Sequence, residues 1–533
     1  MRQNSRVSLS KGKGCVAAGH QVTAEAGAEI LRAGGNAVDA AVAAACMSFI
    51  TEPVLTGAGG GGFMLLCKPN RPPLLLDGFA RMPMAAIEYV EAPDFRAIPV
   101  DFGNTVQTFH IGRASVATPG LMSMLFAAQS RGGRIPMREV IAPACHAARH
   151  GVALNALQTS FIHLLQPILS ASNACQSLHS KGDRLLNEGE PFINPELANL
   201  LELLCVEGVE EMYLGDVAQS IVAACHPGGL LSMQDMAKAQ AIERRPLKLA
   251  ALNGTLLTNP PPSSGGPLIA FSLQLLETLR GQRREADAIL LAECLHEAAM
   301  ARNADFDTMI HNSDFATDFL DKERIVRHSQ DIAERLDRKT PSSSQEFANR
   351  HGSTTHISVL DADGMAVSMT TSNGEGSSII VPGTGIHLNN MLGEEDINPL
   401  GFHRLSGGET LSSMMAPTIL MQDKRPSMIL GSGGSNRLRG AILQVLFRHK
   451  VLGQAVEDAV HAPRLHPEGM MLDAEPGALT ASDEHALRQL GWQIRNWSQT
   501  SVYFGGVHAI SIGKNNRVEA AGDPRRGGAV AWA

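Results

Sequence analysis

The sequence has no cysteine or histidine spacing that is typical of a metal or redox site. Its eight cysteines are widely separated, none forms a C-x-x-C pair, and most lie in apolar runs such as residues 43–46. The 19 histidines form no H-E-x-x-H motif and no close ligand cluster. We therefore expect reduced, buried cysteines and neither a disulfide framework nor a metal site.

The sequence also has no excess of positive charge and no long apolar segment at its start. Lys and Arg together number 45 against 53 for Asp and Glu, which gives a net charge of −8. This balance provides no basic patch for nucleic acid and no polybasic segment for a membrane surface. Residues 1–6 are polar, and no secretion signal or membrane span is visible. We expect a cytoplasmic protein that binds neither nucleic acid nor membranes.

What is present is an ordinary globular composition on a long chain. Hydrophobic residues make up 44% and charged residues 18% of the 533 residues. A chain of this length exceeds one simple core, so two or more packed units are expected. Helical spacing predicts helices over 21–31 and 37–49, over most of 120–249, and over 315–338. The middle of the chain carries no catalytic constellation, and scaffold is its expected role.

A glycine run at 57–62 formally matches G-x-G-x-x-G. It follows a predicted helix and leads into an apolar strand at 63–67. A dinucleotide site needs the order strand, loop, helix, so the match is weak. A tight crossing of the backbone beside a functional site is the better interpretation.

The stretch that opens at Thr354 is more informative. A polar, Ser-rich segment over 339–353 leads into alternating β-type sequence at 355–360, a turn at 361–364 and a second strand at 365–371. If the chain is cut before Thr354, that residue gains a free α-amine with a reference pKa of about 7.7–8.0 beside its own hydroxyl. Such an amine can activate the hydroxyl as a nucleophile. On this stretch alone, a simple hairpin start is favoured.

A second glycine-rich turn lies at 431–435, between an apolar strand and a helix predicted from Arg437 to Val451. Backbone N–H groups at a helix N-terminus can hold an oxyanion. An ordinary strand-to-helix connection explains the pattern equally well.

The ordered set of motifs resembles the γ-glutamyltransferase (glutathione hydrolase) family of N-terminal-nucleophile hydrolases over nearly the whole chain. No single motif is specific, but the set is. It comprises residues 19–66, 117–120 and 261–266, Thr354-Thr355-His356, Leu388-Asn389-Asn390, Ser412-Ser413-Met414 and Gly433-Gly434-Ser435.

The resemblance implies an α/β (α+β) fold, the four-layer αββα sandwich, made as a single self-cleaving precursor. Cleavage between Ser353 and Thr354 would give a large subunit, 1–353, and a small subunit, 354–533. Thr354 would attack a small-molecule amide, its α-amine would shuttle the proton, and water or an amine would resolve the acyl-enzyme. No cofactor is implied. Whether the paired subunits associate into a higher oligomer stays open.

The resemblance also assigns the groups around the nucleophile. Gly433 and Gly434 would donate the oxyanion-hole N–H groups. A second hydroxyl that hydrogen-bonds the nucleophile matches Thr371, or Ser372 if a gap of one residue is allowed.

For the substrate, the family holds a γ-glutamyl α-carboxylate with paired Ser residues and an Arg. Ser412 and Ser413 match the pair, whereas Arg81 stands about two residues from the family's Arg. Asn373 and Glu394 match two of the three residues that hold the α-ammonium. The remaining position is Met391, which accepts no strong hydrogen bond.

Three functions are therefore compared. The first is cleavage of γ-glutamyl amides such as glutathione. The second keeps the chemistry for another small carboxylated amide, oxamate-like or of the cephalosporin-acylase type. The third is a non-enzymatic binding protein on an inherited fold. The intact Thr354-Thr355, Thr371 and Gly433-Gly434 argue against it.

Overall fold

Two seven-stranded antiparallel sheets form the centre of the molecule. The computed structural model describes residues 6–8, 14–101, 106–282, 287–341, 353–513 and 515–533. Sheet I has the spatial order Ile242–Arg244, Leu74–Gly78, Gly61–Cys67, Ala366–Ser372, Thr355–Asp361, Gly14–Ala18, Ala529–Trp532. Sheet II has the order Arg6–Ser8, Arg517–Ala521, Gly506–Ile512, Arg425–Gly433, Thr418–Gln422, Gly254–Thr258, Leu247–Ala251.

The two sheets pack face to face, and each carries helices on its outer side. Sheet I contacts sheet II through the Thr355–Asp361 and Arg425–Gly433 strands. The helices that cover sheet I are Gln21–Arg32, Ala37–Thr51 and Leu121–Gly132. Those that cover sheet II are Gly265–Gly281, Arg437–Leu446 and Val456–His461. This order of layers confirms the expected αββα sandwich.

The remaining elements surround this sandwich. The other α-helices are, in chain order, Met137–His150, Ala156–Leu164, Gln166–Leu169, Asn173–Leu178, Pro195–Glu207, Glu210–Leu214, Asp216–Ala224, Met233–Lys238, Ala288–Ala301, Ala304–Met309, Phe315–Phe319, Lys322–Arg338 and Ala481–Gln489. Single turns of 3₁₀ helix lie at Ile87–Tyr89, Arg113–Ser115, Met391–Gly393, Val502–Phe504 and Pro524–Arg526, and a π-helical turn at Phe447–Val451.

Small sheets complete the fold. They pair Arg96–Asp101 with Val106–Ile111, Val152–Ala153 with Pro191–Phe192, Ser180–Lys181 with Arg184–Leu185, and Ile380–Val381 with Ile386–His387. A three-stranded sheet joins Leu465–Glu468, Met471–Ala474 and Gln493–Asn496.

The Ala37–Thr51 helix shows how the sequence produces this core. Asn36 caps it: the Oδ1 atom of Asn36 accepts from the N–H groups of Val38 and Asp39 at 2.9 and 3.2 Å. The Asp39 carboxylate accepts from the Asn36 N–H at 2.9 Å, which completes a capping box. Every residue of the helix is buried, because small alanine side chains permit close approach of the neighbouring elements. The helices predicted over 21–31 and 37–49 are confirmed.

One predicted helix is wrong. The segment 315–338 forms two helices, Phe315–Phe319 and Lys322–Arg338, because Asp321 caps the second one. Its Oδ2 atom accepts from the N–H groups of Glu323 and Arg324 at 2.9 and 3.3 Å. The rest of the polar lead-in, residues 342–352, lies outside the described residues.

All eight cysteines are free, and all but the partly buried Cys205 are buried. Burial raises the pKa of the Cys67 thiol to about 12, as expected for an unreactive core residue. Within the described residues, no group of three or more His, Cys, Asp or Glu side chains is arranged to hold a metal ion. Nor does any helix in that part of the chain combine the length and apolarity needed to cross a bilayer.

Candidate active site

Thr354 immediately precedes the central Thr355–Asp361 strand of sheet I and is 5% exposed. Its carbonyl oxygen accepts a hydrogen bond from Nη1 of Arg526 at 3.1 Å. The backbone of Gly433 packs against the same carbonyl, since an added Cβ atom would lie 2.2 Å from that oxygen. Glycine is therefore required at 433 by close approach of two backbones.

Ser353 and Thr354 line a cavity of about 30 Å³, which is room for little more than water. The peptide bond between them thus lies at the wall of a small cavity. The other lining residues are Phe79, Ser372, Met391, Glu394, Asp396, Ile397, Ser413, Met414, Met415, Ser435 and Leu438.

Strand alternation decides which hydroxyl reaches this peptide bond. Thr355 pairs with Thr371 across the antiparallel strands. Side chains of a strand alternate between its two faces, so Thr354 and Ser372 share the face opposite to that of this pair. The Thr371 hydroxyl bonds the Thr56 hydroxyl at 2.9 Å, on the helix side of sheet I.

Ser372, in contrast, donates its hydroxyl proton to the carbonyl oxygen of Ser353. Its Oγ atom also accepts from the N–H of Gly374 at 3.0 Å, which orients the hydroxyl. The structure therefore places Ser372, the alternative that requires a gap of one residue, beside the Ser353–Thr354 bond and corrects the expectation for Thr371.

The second glycine-rich turn, residues 431–435, also lies next to Thr354. The Arg425–Gly433 strand ends there and the helix begins at Arg437, as predicted. Gly434 has a φ of +121°, a conformation that L side chains rarely adopt. The turn thus places the backbone of Gly433 against the Thr354 carbonyl, with Gly434 next in the chain.

Two buried carboxyl groups, Glu394 and Asp396, line the cavity, and a third, Glu375, contacts the lining residue Ser353. The N–H of Ser353 donates to Oε1 of Glu375 at 3.0 Å, and the Ser435 hydroxyl donates to Asp396. Burial, followed by the charge of Asp396, raises the pKa of Glu375 to about 8. Burial and the charges of Glu375 and Asp396 raise the pKa of Glu394 well above its ordinary value. A cluster of this kind favours a bound cation.

The predicted substrate residues are brought together only in part. Glu394 and Ser413 line the cavity, and Met391 lines it as well. Asn373 and Ser412 are buried next to lining residues, and neither Oδ1 of Asn373 nor Oγ of Ser412 has a hydrogen-bond partner among the described residues. Neither residue belongs to the described lining of the cavity, and a Cβ atom added at Gly60 would lie 3.1 Å from Oδ1 of Asn373.

Arg81 lies elsewhere, which corrects its assignment as the carboxylate residue. Its guanidinium donates to the carbonyl oxygens of Lys238, at 2.6 Å, and Gln240. Its backbone bridges Thr118 and Thr410. Arg81 therefore connects the chain after the Leu74–Gly78 strand to the end of the Met233–Lys238 helix. The described lining of the cavity contains no arginine.

Two further buried residues beside the site carry no signal in the sequence. Glu52 ends the Ala37–Thr51 helix and accepts from the Thr355 hydroxyl at 2.9 Å. Burial raises the pKa of Glu52 to about 7, partly offset by Thr355 and Arg526. Burial lowers the pKa of Arg526 to about 10. Arg526 is 172 positions from Thr354, so only the fold reveals their contact.

The comparison with protein families agrees with this geometry. The family model described as Gamma-glutamyltranspeptidase matches residues 23–533. The chain belongs to this family. It is therefore an enzyme of the N-terminal-nucleophile hydrolase type, and the non-enzymatic alternative is set aside.

Individual relatives are distant but extend over the whole length. The chain is 27% identical to the glutathione hydrolase proenzyme of Bacillus subtilis (strain 168), over 97% of this chain and 91% of that protein. It is 27% identical to the acylase ACY 1 proenzyme of Pseudomonas sp. (strain V22), over 96% of this chain and 91% of that protein. The crystal structure of cephalosporin acylase from Bacillus halodurans has a TM-score of 0.83 at 22% identity, covering 100% of this chain and 97% of that one. The last similarity concerns the fold alone.

Proposed function

We propose that this protein cleaves its own Ser353–Thr354 bond and then hydrolyses or transfers the acyl group of γ-glutamyl amides. The observation that supports this proposal best is the environment of that bond. The Ser372 hydroxyl contacts the Ser353 carbonyl, and the Gly433 backbone lies against Thr354.

Self-cleavage needs only groups already at the bond. Thr354 Oγ attacks the Ser353 carbonyl carbon, and the Ser372 hydroxyl stabilises the oxyanion. The C–N bond breaks, an ester to Thr354 Oγ forms, and the proton from the hydroxyl passes to the Thr354 nitrogen. Water then hydrolyses the ester, which leaves a carboxylate on Ser353 and a free α-amine and hydroxyl on Thr354.

Turnover repeats the same attack on an external amide. Departure of Ser353 enlarges the cavity that it lines. The Thr354 α-amine accepts the hydroxyl proton and delivers it to the leaving amine. The N–H groups of Gly433 and Gly434 face the tetrahedral oxyanion. Water or an amine releases the acyl group from Thr354.

The γ-glutamyl assignment is supported by charge and by the relatives. Buried Glu394 suits an α-ammonium, and Ser412 with Ser413 suits an α-carboxylate. Several relatives are named glutathione hydrolase proenzymes. Cytoplasmic location remains a prediction.

A second substrate class has its own support. Met391 lines the cavity where a polar residue was expected, and the described lining contains no arginine. One relative is an acylase proenzyme. These features favour a small carboxylated amide without an α-amine, such as a glutaryl amide or oxamate.

Initial rates on three substrates distinguish between these two substrate classes. The cleaved enzyme is given γ-glutamyl-p-nitroanilide, glutaryl-p-nitroanilide and oxamate, with Thr354→Ala as the inactive control. We expect the highest kcat/KM for the γ-glutamyl substrate. Turnover of glutaryl-p-nitroanilide or oxamate without turnover of the γ-glutamyl compound would reject the γ-glutamyl assignment.

A further inference from the structure

Glu375 holds the residue that precedes the cleavage site. Its Oε1 atom accepts from the Ser353 N–H at 3.0 Å, and its side chain is buried. The other oxygen, Oε2, has no hydrogen-bond partner among the described residues. Ser353 lines the cavity, whereas Glu375 does not appear in its described lining. Ser353 thus joins Glu375 to the edge of the cavity through this hydrogen bond, and departure of Ser353 would leave the carboxylate without that donor.

A second carboxylate lies beside the first and faces the cavity. Glu394 lines the cavity, is 7% exposed, and its Oε1 atom has no hydrogen-bond partner in the described part of the chain. Gly374 permits this proximity: its φ is +60°, and an added Cβ atom would lie 2.0 Å from Glu394 Oε1. The backbone that carries Glu375 thus passes directly against Glu394.

We propose that Glu375 determines substrate specificity: it binds the Ser353 N–H before cleavage and the α-ammonium of the acyl donor afterwards. This inference rests on the proposed γ-glutamyl function. An ammonium has three N–H donors, and the Glu375 carboxylate and the unpartnered Glu394 oxygen supply acceptors for it. Glu375 thereby compensates for Met391, which offers no strong acceptor.

The electrostatics of the site agree with a cationic ligand. Glu375, Glu394 and Asp396 are all buried, and Arg526 interacts electrostatically with Glu375. The hydrogen bonds of Arg526 include one to the Thr354 carbonyl, so Arg526 is already engaged. Adjacent buried carboxylates disfavour each other's ionisation, and a bound ammonium relieves that repulsion.

The decisive variant is Glu375→Gln, whose amide oxygen can still accept from the Ser353 N–H. Cleavage is verified first, and kcat/KM is then measured for γ-glutamyl-p-nitroanilide and for glutaryl-p-nitroanilide, which lacks the amine. We expect a loss of about 10- to 100-fold for the γ-glutamyl substrate, mainly in KM, and little change for the glutaryl substrate. Glu334→Gln, an exposed helix position, is the control and should match wild type.

The outcomes are distinct. If kcat/KM falls equally for both substrates in Glu375→Gln, or does not fall for either, the role proposed for Glu375 is overturned. A wild-type enzyme that prefers the glutaryl substrate would refute the γ-glutamyl function itself and this inference with it. If Glu375→Gln stays uncut, Glu375→Asp and Glu375→Ala replace it. The proposal is supported if Glu375→Asp still prefers the γ-glutamyl over the glutaryl substrate and Glu375→Ala does not. It is contradicted if both variants show the same preference.

Discussion

The hydroxyl of Ser372 donates a hydrogen bond to the carbonyl oxygen of Ser353. The two residues meet because the Thr355–Thr371 pairing places Ser372 opposite Thr354 on the next strand. The register of sheet I thus determines which hydroxyl lies beside the Ser353–Thr354 bond, the proposed cleavage site. This relationship makes the roles of Ser372 and its neighbour Thr371 separable by mutation.

Ser372→Ala should slow both self-cleavage and turnover by about 10²–10³-fold, the typical cost of one lost donor to an oxyanion. Thr371→Ala is the matched control. It loses only the bond to Thr56, worth about 1 kcal/mol of stability, and should still cleave. Gel densitometry over time measures cleavage. The reverse ranking would restore Thr371 to the site and refute the assignment of Ser372.

Gly433→Ala should abolish cleavage and activity, because its Cβ atom would lie 2.2 Å from the Thr354 carbonyl oxygen. The control is Gly281→Ala at the end of the Gly265–Gly281 helix. Among the described residues, no atom outside the adjoining helix backbone lies within 4 Å of a Cβ atom added there. That variant should be stable and active. An active Gly433→Ala enzyme, with a normal circular dichroism spectrum, would show that the two backbones do not approach this closely.

Arg81→Ala should leave the KM for γ-glutamyl-p-nitroanilide within about threefold of wild type, because its guanidinium contacts backbone carbonyls outside the cavity. Ser413→Ala, by comparison, changes a lining residue and should raise KM. Steady-state kinetics of both variants tests this. A large rise in KM for Arg81→Ala alone would return Arg81 to the carboxylate site.

Glu52→Gln should change how stability depends on pH. Burial raises the pKa of Glu52 from 4.5 to about 7, so its contribution is fully present below pH 4.5 and is lost as pH rises through 7. On the uncleaved Thr354→Ala background, the variant should gain about 2–3 kcal/mol relative to the parent between pH 5 and pH 8.

Urea unfolding at both pH values provides the measurement, with Glu334→Gln as the exposed control. The control should show no such difference between the two pH values. If Glu52→Gln and its parent lose stability equally as pH rises, Glu52 does not titrate in this range.

Local sequence predicted much of the fold, whereas the proposed nucleophile, Thr354, follows from the family resemblance. The cap at Asn36, the strand after Thr354 and the turn before Arg437 each follow from short-range chemistry, and all three are found. The break before Lys322 was missed because Asp321 suits a helix interior as well as a cap in a charged segment.

The substrate residues were harder to predict because their contacts are long-range. Arg81 follows a strand, but the direction of its side chain depends on hydrogen bonds to carbonyl oxygens about 160 positions away, at Lys238 and Gln240. Glu375 follows an ordinary Asn-Gly turn, and only its bond to Ser353 distinguishes it. Thr371 and Ser372 differ by one residue, a choice that depends on pairing with the neighbouring strand.

Intact-mass spectrometry of the purified, active protein tests the central claim most directly. We expect two polypeptides, residues 1–353 and 354–533, of roughly 38 and 19 kDa by their shares of 56.7 kDa, the smaller one beginning with Thr354. Thr354→Ala should remain one chain without activity. A single uncut chain of 56.7 kDa that turns over an amide would contradict the account.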